Sequence, residues 1–362
     1  MSYSRSKKPS ALFPRIRQLH AWSGLLISVV LALLSVSGTL LIFKEDYLGV
    51  ALPQAHGVVD LSPIGIGSAI ESLEREFGAD ELSYVLLAHA DHALHRVVMR
   101  SGEAAYALTS GDVVERWQEN ERPEDWLFDL HHYLLLGERG EIVAGFVALA
   151  AIVMAGSGIY LFLPFRKRFS LQAWPVSTHR RDILAYHRNA GVLFFLPIVV
   201  LLITGAGMVF YSQASSVLST LTLSTPAPFV PPTGQAGDID WRKAMLKAQA
   251  VFPDAEPRLL IWPRRPDAAA LIRLRQNGEW HQNGRSLVYI DPATSEVLKT
   301  RDATLLSRGE RATNAIYPIH SAGVGGRVYD VVAATTGLSL AALSLFAAWT
   351  YIKRLKRRGG QG

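Results

Sequence analysis

Four long apolar blocks limit what this chain can fold into more than any other feature of it. The first is Gly24–Phe43, GLLISVVLALLSVSGTLLIF, without a single charge. The others are Ile142–Phe165, Gly191–Tyr211 and Val328–Ile352; Asp330 lies near the start of the last, so its apolar core begins near Val331. About twenty apolar residues in a helix cover a hydrocarbon core of roughly 30 Å. The first block is longer than the apolar region of an ordinary export signal, and no small-residue cleavage pattern follows it. It reads as a retained anchor.

Basic residues orient the spans. Arg5, Lys7, Lys8, Arg15 and Arg17 precede the first. Arg166, Lys167, Arg168, Arg180 and Arg181 follow the second, against one acid, Asp182. Lys353, Arg354, Lys356, Arg357 and Arg358 follow the fourth. Cationic borders stay on the cytoplasmic side, so both termini are expected there and the chain alternates four times across an inner membrane. The expected order is a basic N-terminus (1–19), span one (20–43), an exported domain (44–140), span two (141–165), a cytoplasmic loop (166–186), span three (187–211), a linker and second exported domain (212–326), span four (327–352) and a cytoplasmic tail (353–362). The net charge of +6 is thus a membrane-border signal; the bilayer is the expected partner, and no nucleic acid is. The absence of cysteine excludes disulfides, thiolate metal sites, iron–sulfur clusters and c-type haem attachment.

The exported segments carry two similar patterns. In the second, Trp241, Met245 and Ala248 to Val251 recur at helical spacing behind Asp238 or Asp240 as a cap. PRLLIWP, AALIRLR and RSLVYID then alternate as strands, and YIDPATSEVLKT turns at Asp291-Pro292. In the first, residues 62–78 predict a helix, and ELSYVLLAH, ALHRVVMR and AAYALT predict strands before a turn at Gly111-Asp112. The repeat of this order predicts a duplication. Residues 224–237 are a Pro/Gly-rich linker. The fold class is therefore a membrane all-α bundle of four helices in two duplicated halves, with two small α+β exported domains.

The eleven histidines are placed unevenly. His20 is followed by Gly24 and Gly38, and His187 by Gly191 and Gly205, with the same intervals of four and eighteen residues. Ser37 precedes Gly38 and Thr204 precedes Gly205. Both histidines fall at the cytoplasmic end of a span. His131 lies just before span two and His320 just before span four, both at the outer end, where Pro318 is expected to open the fourth helix. Four spans thus supply one pair of imidazoles per membrane face. A bare metal ion wants three or four protein ligands. Haem brings four nitrogens of its own and needs only two axial ligands, and glycines allow helices to close on a flat macrocycle. The same glycines also serve plain helix packing. Arg188 near the inner pair and Arg327 near the outer are candidate partners of haem propionates, or else topology and headgroup signals. His89, His92 and His95 cluster around a turn at Asp91 that points them in different directions, which argues against a metal site.

LHAWSGLL, LHHYLLLG, YHRNAGVL, YPIHSAGVGG and SLVYIDPATSEVLK together resemble the PepSY-associated transmembrane-helix proteins of bacteria. The resemblance spans nearly the whole chain. It implies PepSY-like exported domains and, in the siderophore-iron reductase branch, two haem b groups and reduction of ferric siderophores at the periplasmic face. Carried across, His20, His131, His187 and His320 are the candidate axial ligands. His132 stands where the family usually has Arg, which makes it the alternative to His131. The electron donor is not identified, since no flavin or nicotinamide motif occurs. Two other readings stand beside this one: a haem carrier serving another protein, and a non-redox anchor for domains that bind a peptide or protease.

Overall fold

The computed structural model describes residues 12–57, 60–171 and 174–359, with side chains described to Lys353. Arg5, Lys7 and Lys8, and the side chains of Arg354, Lys356, Arg357 and Arg358, lie outside the described residues. In chain order the elements are α1 (Leu12–Ile42), α2 (Lys44–Ala51), α3 (Pro63–Phe77), β1 (Leu82–Leu86), β2 (Leu94–Met99), β3 (Ala104–Leu108), β4 (Val113–Trp117), α4 (Pro123–Tyr133), α5 (Glu138–Phe162), α6 (Arg180–Leu193), α7 (Phe195–Val209), α8 (Tyr211–Leu221), α9 (Trp241–Val251), β5 (Glu256–Ile261), β6 (Ala270–Arg275), β7 (Ser286–Ile290), β8 (Val297–Arg301), α10 (Arg308–Asn314), α11 (Ile316–His320) and α12 (Gly326–Gly359). They form two compact units, one of Met1–Ile42, Leu127–Phe210 and Gly325–Gly362, the other of Phe43–Trp126 and Tyr211–Val324.

The first unit is a helical bundle. Three of its helical stretches are long and apolar enough to cross a membrane: Leu12–Ile42, Glu138–Arg168 and Gly326–Lys353. Ile27 and Leu31 of α1, Val147 and Ala151 of α5, Ile198 and Leu202 of α7, and Leu343 of α12 make its core. Leu26, Val153 and Leu196 point outward and exposed, as side chains that face lipid do. Hydroxyls inside the bundle bond back along their own helix: Ser35 Oγ donates to Leu31 O at 2.6 Å and Thr39 Oγ1 to Ser35 O at 2.8 Å. That satisfies them without water. At Gly337 of α12 a side chain would collide with Thr39 and the Ser35 carbonyl of α1; a small residue is what lets these two helices touch.

The third expected span is bent, as the proline within its apolar run, Pro197, leads one to expect. α6 and α7 meet at a break of 70°, with Phe194 at φ −95° and ψ 8°. Pro197 explains the position. Its ring excludes the carbonyl four residues earlier, at Leu193, and it has no N–H to give. The chain therefore breaks at Phe194, ahead of the proline. The neighbouring expectations change. His131 sits on α4, separate from span two, which begins at Glu138. His320 ends the short α11, and Pro318 lies inside that helix instead of opening the fourth span, which starts at Gly326.

The second unit corrects the expectation of two separate exported domains. All eight strands form a single sheet in the order β4-β3-β2-β1-β5-β6-β7-β8. Each half is an antiparallel meander behind one helix, and the halves join where β1 runs antiparallel to β5, with Val85 opposite Leu260. The helices α3 and α9 cover one face. Ile66, Ile70 and Leu73 of α3, Trp241 and Met245 of α9, and Val97, Leu260, Ile272 and Val288 of the sheet share one core. Ser62 caps α3 and Asp240 caps α9. The reason for merging is the edge: two four-stranded meanders would each leave β1 or β5 with unpaired backbone groups, and pairing them removes both edges at once.

Glu74 ties the halves together. Its Oε1 accepts the indole N–H of Trp241 and of Trp262, each at 2.7 Å, and burial raises its pKa. We expect Glu74→Leu to destabilise this unit by about 2–4 kcal/mol, since two buried N–H donors lose their acceptor. Thermal unfolding of the purified protein measures it, and Glu74→Gln, which keeps an acceptor oxygen, should cost less.

Candidate functional site

His20 lies on α1 and His187 on α6, the arm that precedes the break. The fold brings the two imidazoles to 6.2 Å between ring centres, with planes at 80°. His20 Nδ1 stands 2.8 Å from Ser157 Oγ on α5. The Ser157 hydroxyl has one hydrogen, and it goes to Met154 O at 2.9 Å. Ser157 can therefore only accept from His20, so Nδ1 is the protonated nitrogen and Nε2 carries the lone pair. A hydrogen bond that fixes the tautomer in this way is what orients a metal-binding imidazole. The His187 ring lies against α12 at Leu343, and its Nδ1 is buried without a hydrogen-bond partner.

His131 is seated on α1 as well. Its Nδ1 lies 2.9 Å from Leu34 O and 3.2 Å from Ser37 Oγ. A carbonyl only accepts, so Nδ1 donates and Nε2 again holds the lone pair. The seat exists because residue 38 is glycine: a Cβ there would come within 2.6 Å of His131 Cε1. His132 is placed differently. Its ring stacks on Phe128, 5.3 Å between centres at 10°, and its Nδ1 is buried without a partner. From His20 to Gly38 is eighteen residues of α1, about 27 Å at 1.5 Å per residue, so one helix carries a histidine seat towards each end. His320 belongs to the other unit, at the end of α11.

The remaining sequence candidates have other roles in this structure. Gly24 faces the Met154 methyl, where a Cβ would approach to 2.8 Å, so it packs α1 on α5. Gly191, one turn past His187, borders open space, with nothing within 4 Å of an added Cβ. Gly205 lies half-buried within α7. Arg188 donates to Arg168 O at 3.2 Å and to Asn189 Oδ1 at 3.2 Å. Arg327 is exposed and lies 3.7 Å from Asp330. His89 and His92 form an isolated bridge across their turn. His95 points into the core, where its Nδ1 accepts from Ala88 N at 3.0 Å and burial pushes it down to about 4. Among the described residues no three His, Cys, Asp or Glu side chains converge as a metal site.

Two imidazoles bind one metal from opposite sides through bonds of about 2 Å, which with about 1 Å from each nitrogen to its ring centre sets the centres roughly 6 Å apart. The His20–His187 spacing of 6.2 Å fits that arrangement. So does the donor set, one fixed Nε2 lone pair and one orphaned buried imidazole nitrogen. Sequence reasoning missed Ser157 and the Leu34 carbonyl. The first left a faint signal, a serine between two glycines in the middle of an apolar span; a backbone carbonyl leaves none.

These helices and this sheet define a multi-pass membrane protein with a large extramembrane α/β unit. More particularly, the chain belongs to the family described as the PepSY-associated TM region, whose model matches residues 17–354. No curated protein matches the chain.

We expect Gly38→Ala to displace the His131 ring and break its bond to Leu34 O, while leaving the His20–His187 pair in place. Histidine-selective NMR of the labelled protein should show one perturbed imidazole. Ser157→Ala should do the reverse, releasing the His20 tautomer and leaving His131 unchanged.

Proposed function

We propose that this protein is an inner-membrane haem b protein that passes electrons outward to reduce ferric siderophores in the periplasm, releasing ferrous iron. The observation that carries the reading is the His20–His187 pair, two imidazoles 6.2 Å apart inside an apolar bundle. His20 and His187 would hold one haem. His131, with its proton fixed on Nδ1 by the Leu34 carbonyl, is the candidate ligand of a second. A haem so held supplies reversible one-electron iron chemistry.

The protein's own residues supply the rest. Ser157 and Leu34 O hold protons on the outward nitrogens of their histidines, so the coordinating nitrogens stay neutral and aimed. The apolar core around Ile27, Leu31, Tyr186 and Leu343 excludes water from the inner pair. The α1 helix spaces its two histidine seats across most of a bilayer. The substrate side follows from charge. Hard oxygen donors hold ferric iron more tightly than ferrous, so one electron per iron loosens the chelate. The cationic borders at 15–17, 166–168 and 180–181 support an orientation with both termini in the cytoplasm, where reductant is available, and the sheet unit in the periplasm.

Reporter fusions after Tyr47 and after residue 236 should both behave as exported; a cytoplasmic signal at either overturns the orientation. Protein purified from haem-replete cells should show b-type absorbance, with a bis-imidazole spectrum, and His20→Ala and His187→Ala should each lose the same component. Reduced without oxygen and cleared of excess reductant, it should be reoxidised by ferric siderophores with matching capture of ferrous iron by a chelator. Haem absorbance without such reoxidation would leave a carrier for another protein, and no haem at all would leave a non-redox anchor.

A further inference from the structure

The duplicated sheet contains an internal comparison. Arg96 on β2 stands opposite Leu86, Arg273 on β6 stands opposite Leu259, and Leu86 and Leu259 pair with one another. The two arginines thus hold related positions in the two halves, on the sheet face away from α3 and α9. In the first half the charge is neutralised. Arg96 Nη2 binds Asp125 Oδ1 at 2.7 Å, and Arg122 binds Glu115 and Glu124. The rest of that face is apolar, with Leu48, Leu52, Leu94, Tyr106 and Trp117 packed together.

The second half is built the other way. Arg273 donates from Nε and Nη2 to the Gly284 carbonyl, at 3.2 and 2.5 Å. Arg275, two residues along the same strand face, donates from Nε to Glu279 O at 3.3 Å. Arg285 immediately precedes β7, and the ladder that sets Leu274 opposite Ser286 brings it beside Arg275. Its Nε is buried without a hydrogen-bond partner. None of the three forms an ion pair among the described residues. Two acids are nearby: Glu256 stands opposite Arg275 on β5 and is paired with Arg258 at 3.1 Å, and Glu279 has both oxygens engaged, by Gln276 N, Ser286 Oγ and Arg285 N. Around Arg285 stand the phenols of Tyr211 and Tyr317, and Tyr317 stacks on His281 at 5.0 Å.

Like charges side by side on a sheet are unfavourable, and burial makes them more so. Burial, then Arg285, lowers Arg273 to about 10. Burial, then Arg285 and Arg273, pushes His281 down to about 3, so it stays neutral. Backbone carbonyls satisfy some of the donors without carrying charge, and Glu279, with Glu256 already committed to Arg258, offsets only part of the charge of three guanidinium groups. The related position in the first half has a carboxylate, so the sheet itself does not demand the imbalance.

We propose that Arg273, Arg275 and Arg285 form a binding site for an oxyanion, a carboxylate or phosphate group, on this face of the sheet. Guanidinium forks match the paired oxygens of such groups, and Tyr211 and Tyr317 offer hydroxyls at its margin. The site stands whatever the redox role. One consequence rests on the reading above: a reductase with this site prefers ferric chelates bearing free carboxylates over neutral trihydroxamates.

The test uses the full chain in detergent and in nanodiscs. Citrate and inorganic phosphate are titrated at constant ionic strength, with chloride as control, and binding is read by calorimetry and by the melting temperature. Arg285→Gln and Arg273→Gln should weaken binding at least tenfold, and Arg285→Lys should recover only part of it. Arg242→Gln, an exposed arginine paired with Glu71, should bind as the unaltered protein does. A soluble ligand is indicated if citrate or phosphate binds. Arginine-dependent stabilisation seen only in nanodiscs containing phosphatidylglycerol, and not in phosphatidylcholine alone, assigns the site to a lipid headgroup. Anion binding that is absent in every arm, or unchanged by Arg285→Gln and Arg273→Gln, overturns the proposal. Haem absorbance recorded on the same samples reports on the redox reading separately, since a haem-free protein that still binds citrate through these arginines would sink that reading and keep this one.

Discussion

Hydrocarbon offers no hydrogen bonds, and the hydroxyls and pinned imidazoles of the bundle are arranged around that fact. Serines and threonines of α1 return their protons to carbonyls one turn back. The two histidines whose ring protons are assigned go further and reach across to another helix. His20 takes the one acceptor that Ser157 has left, and His131 takes the Leu34 carbonyl. An imidazole pinned through Nδ1 has lost its choice of tautomer, and its other nitrogen is aimed by the packing of two helices. The proposed haem chemistry depends on that pinning, because a free imidazole would spend part of its time in the wrong tautomer or rotamer.

Packing around the pinned rings is equally specific. Gly38 is needed for His131, Gly24 for Met154, and Gly337 for the crossing of α1 and α12. These glycines occupy regularly spaced positions yet do different work. The interval shared by the His20 and His187 segments is not matched by shared contacts at their glycines. Gly191, with open space beside it, differs most from its counterpart Gly24.

The extramembrane unit shows duplication put to a similar use. Merging two meanders through β1 and β5 removes two exposed edges and gives α3 and α9 one core to share, locked by Glu74 between two tryptophans. The opposite face is then free to differ between halves. One half closes it with apolar side chains and matched ion pairs. The other leaves three arginines together. A structural face has no use for unbalanced charge, which is why that asymmetry points to a ligand.

The sequence by itself determined the apolar spans, the positions of the histidines along them and the order of helix and strands in each segment between the spans, because hydropathy and periodicity are local and need no partner. Asp240 was legible as one of two candidate caps for the same reason. A kink of the third span was legible too, from Pro197 within its apolar run. Only the tertiary structure decided that the two segments share one sheet, that His131 and His320 stand on short helices of their own, and that Gly38 is the seat of an imidazole. The Arg-x-Arg alternation of β6 was visible as a strand, but its meaning depended on Arg273, Arg275 and Arg285 meeting with too few carboxylates to pair them, Glu256 opposite Arg275 being held by Arg258. Strand pairing, helix crossing and charge compensation join residues far apart in the chain, and no pattern within a single segment records which of them will meet.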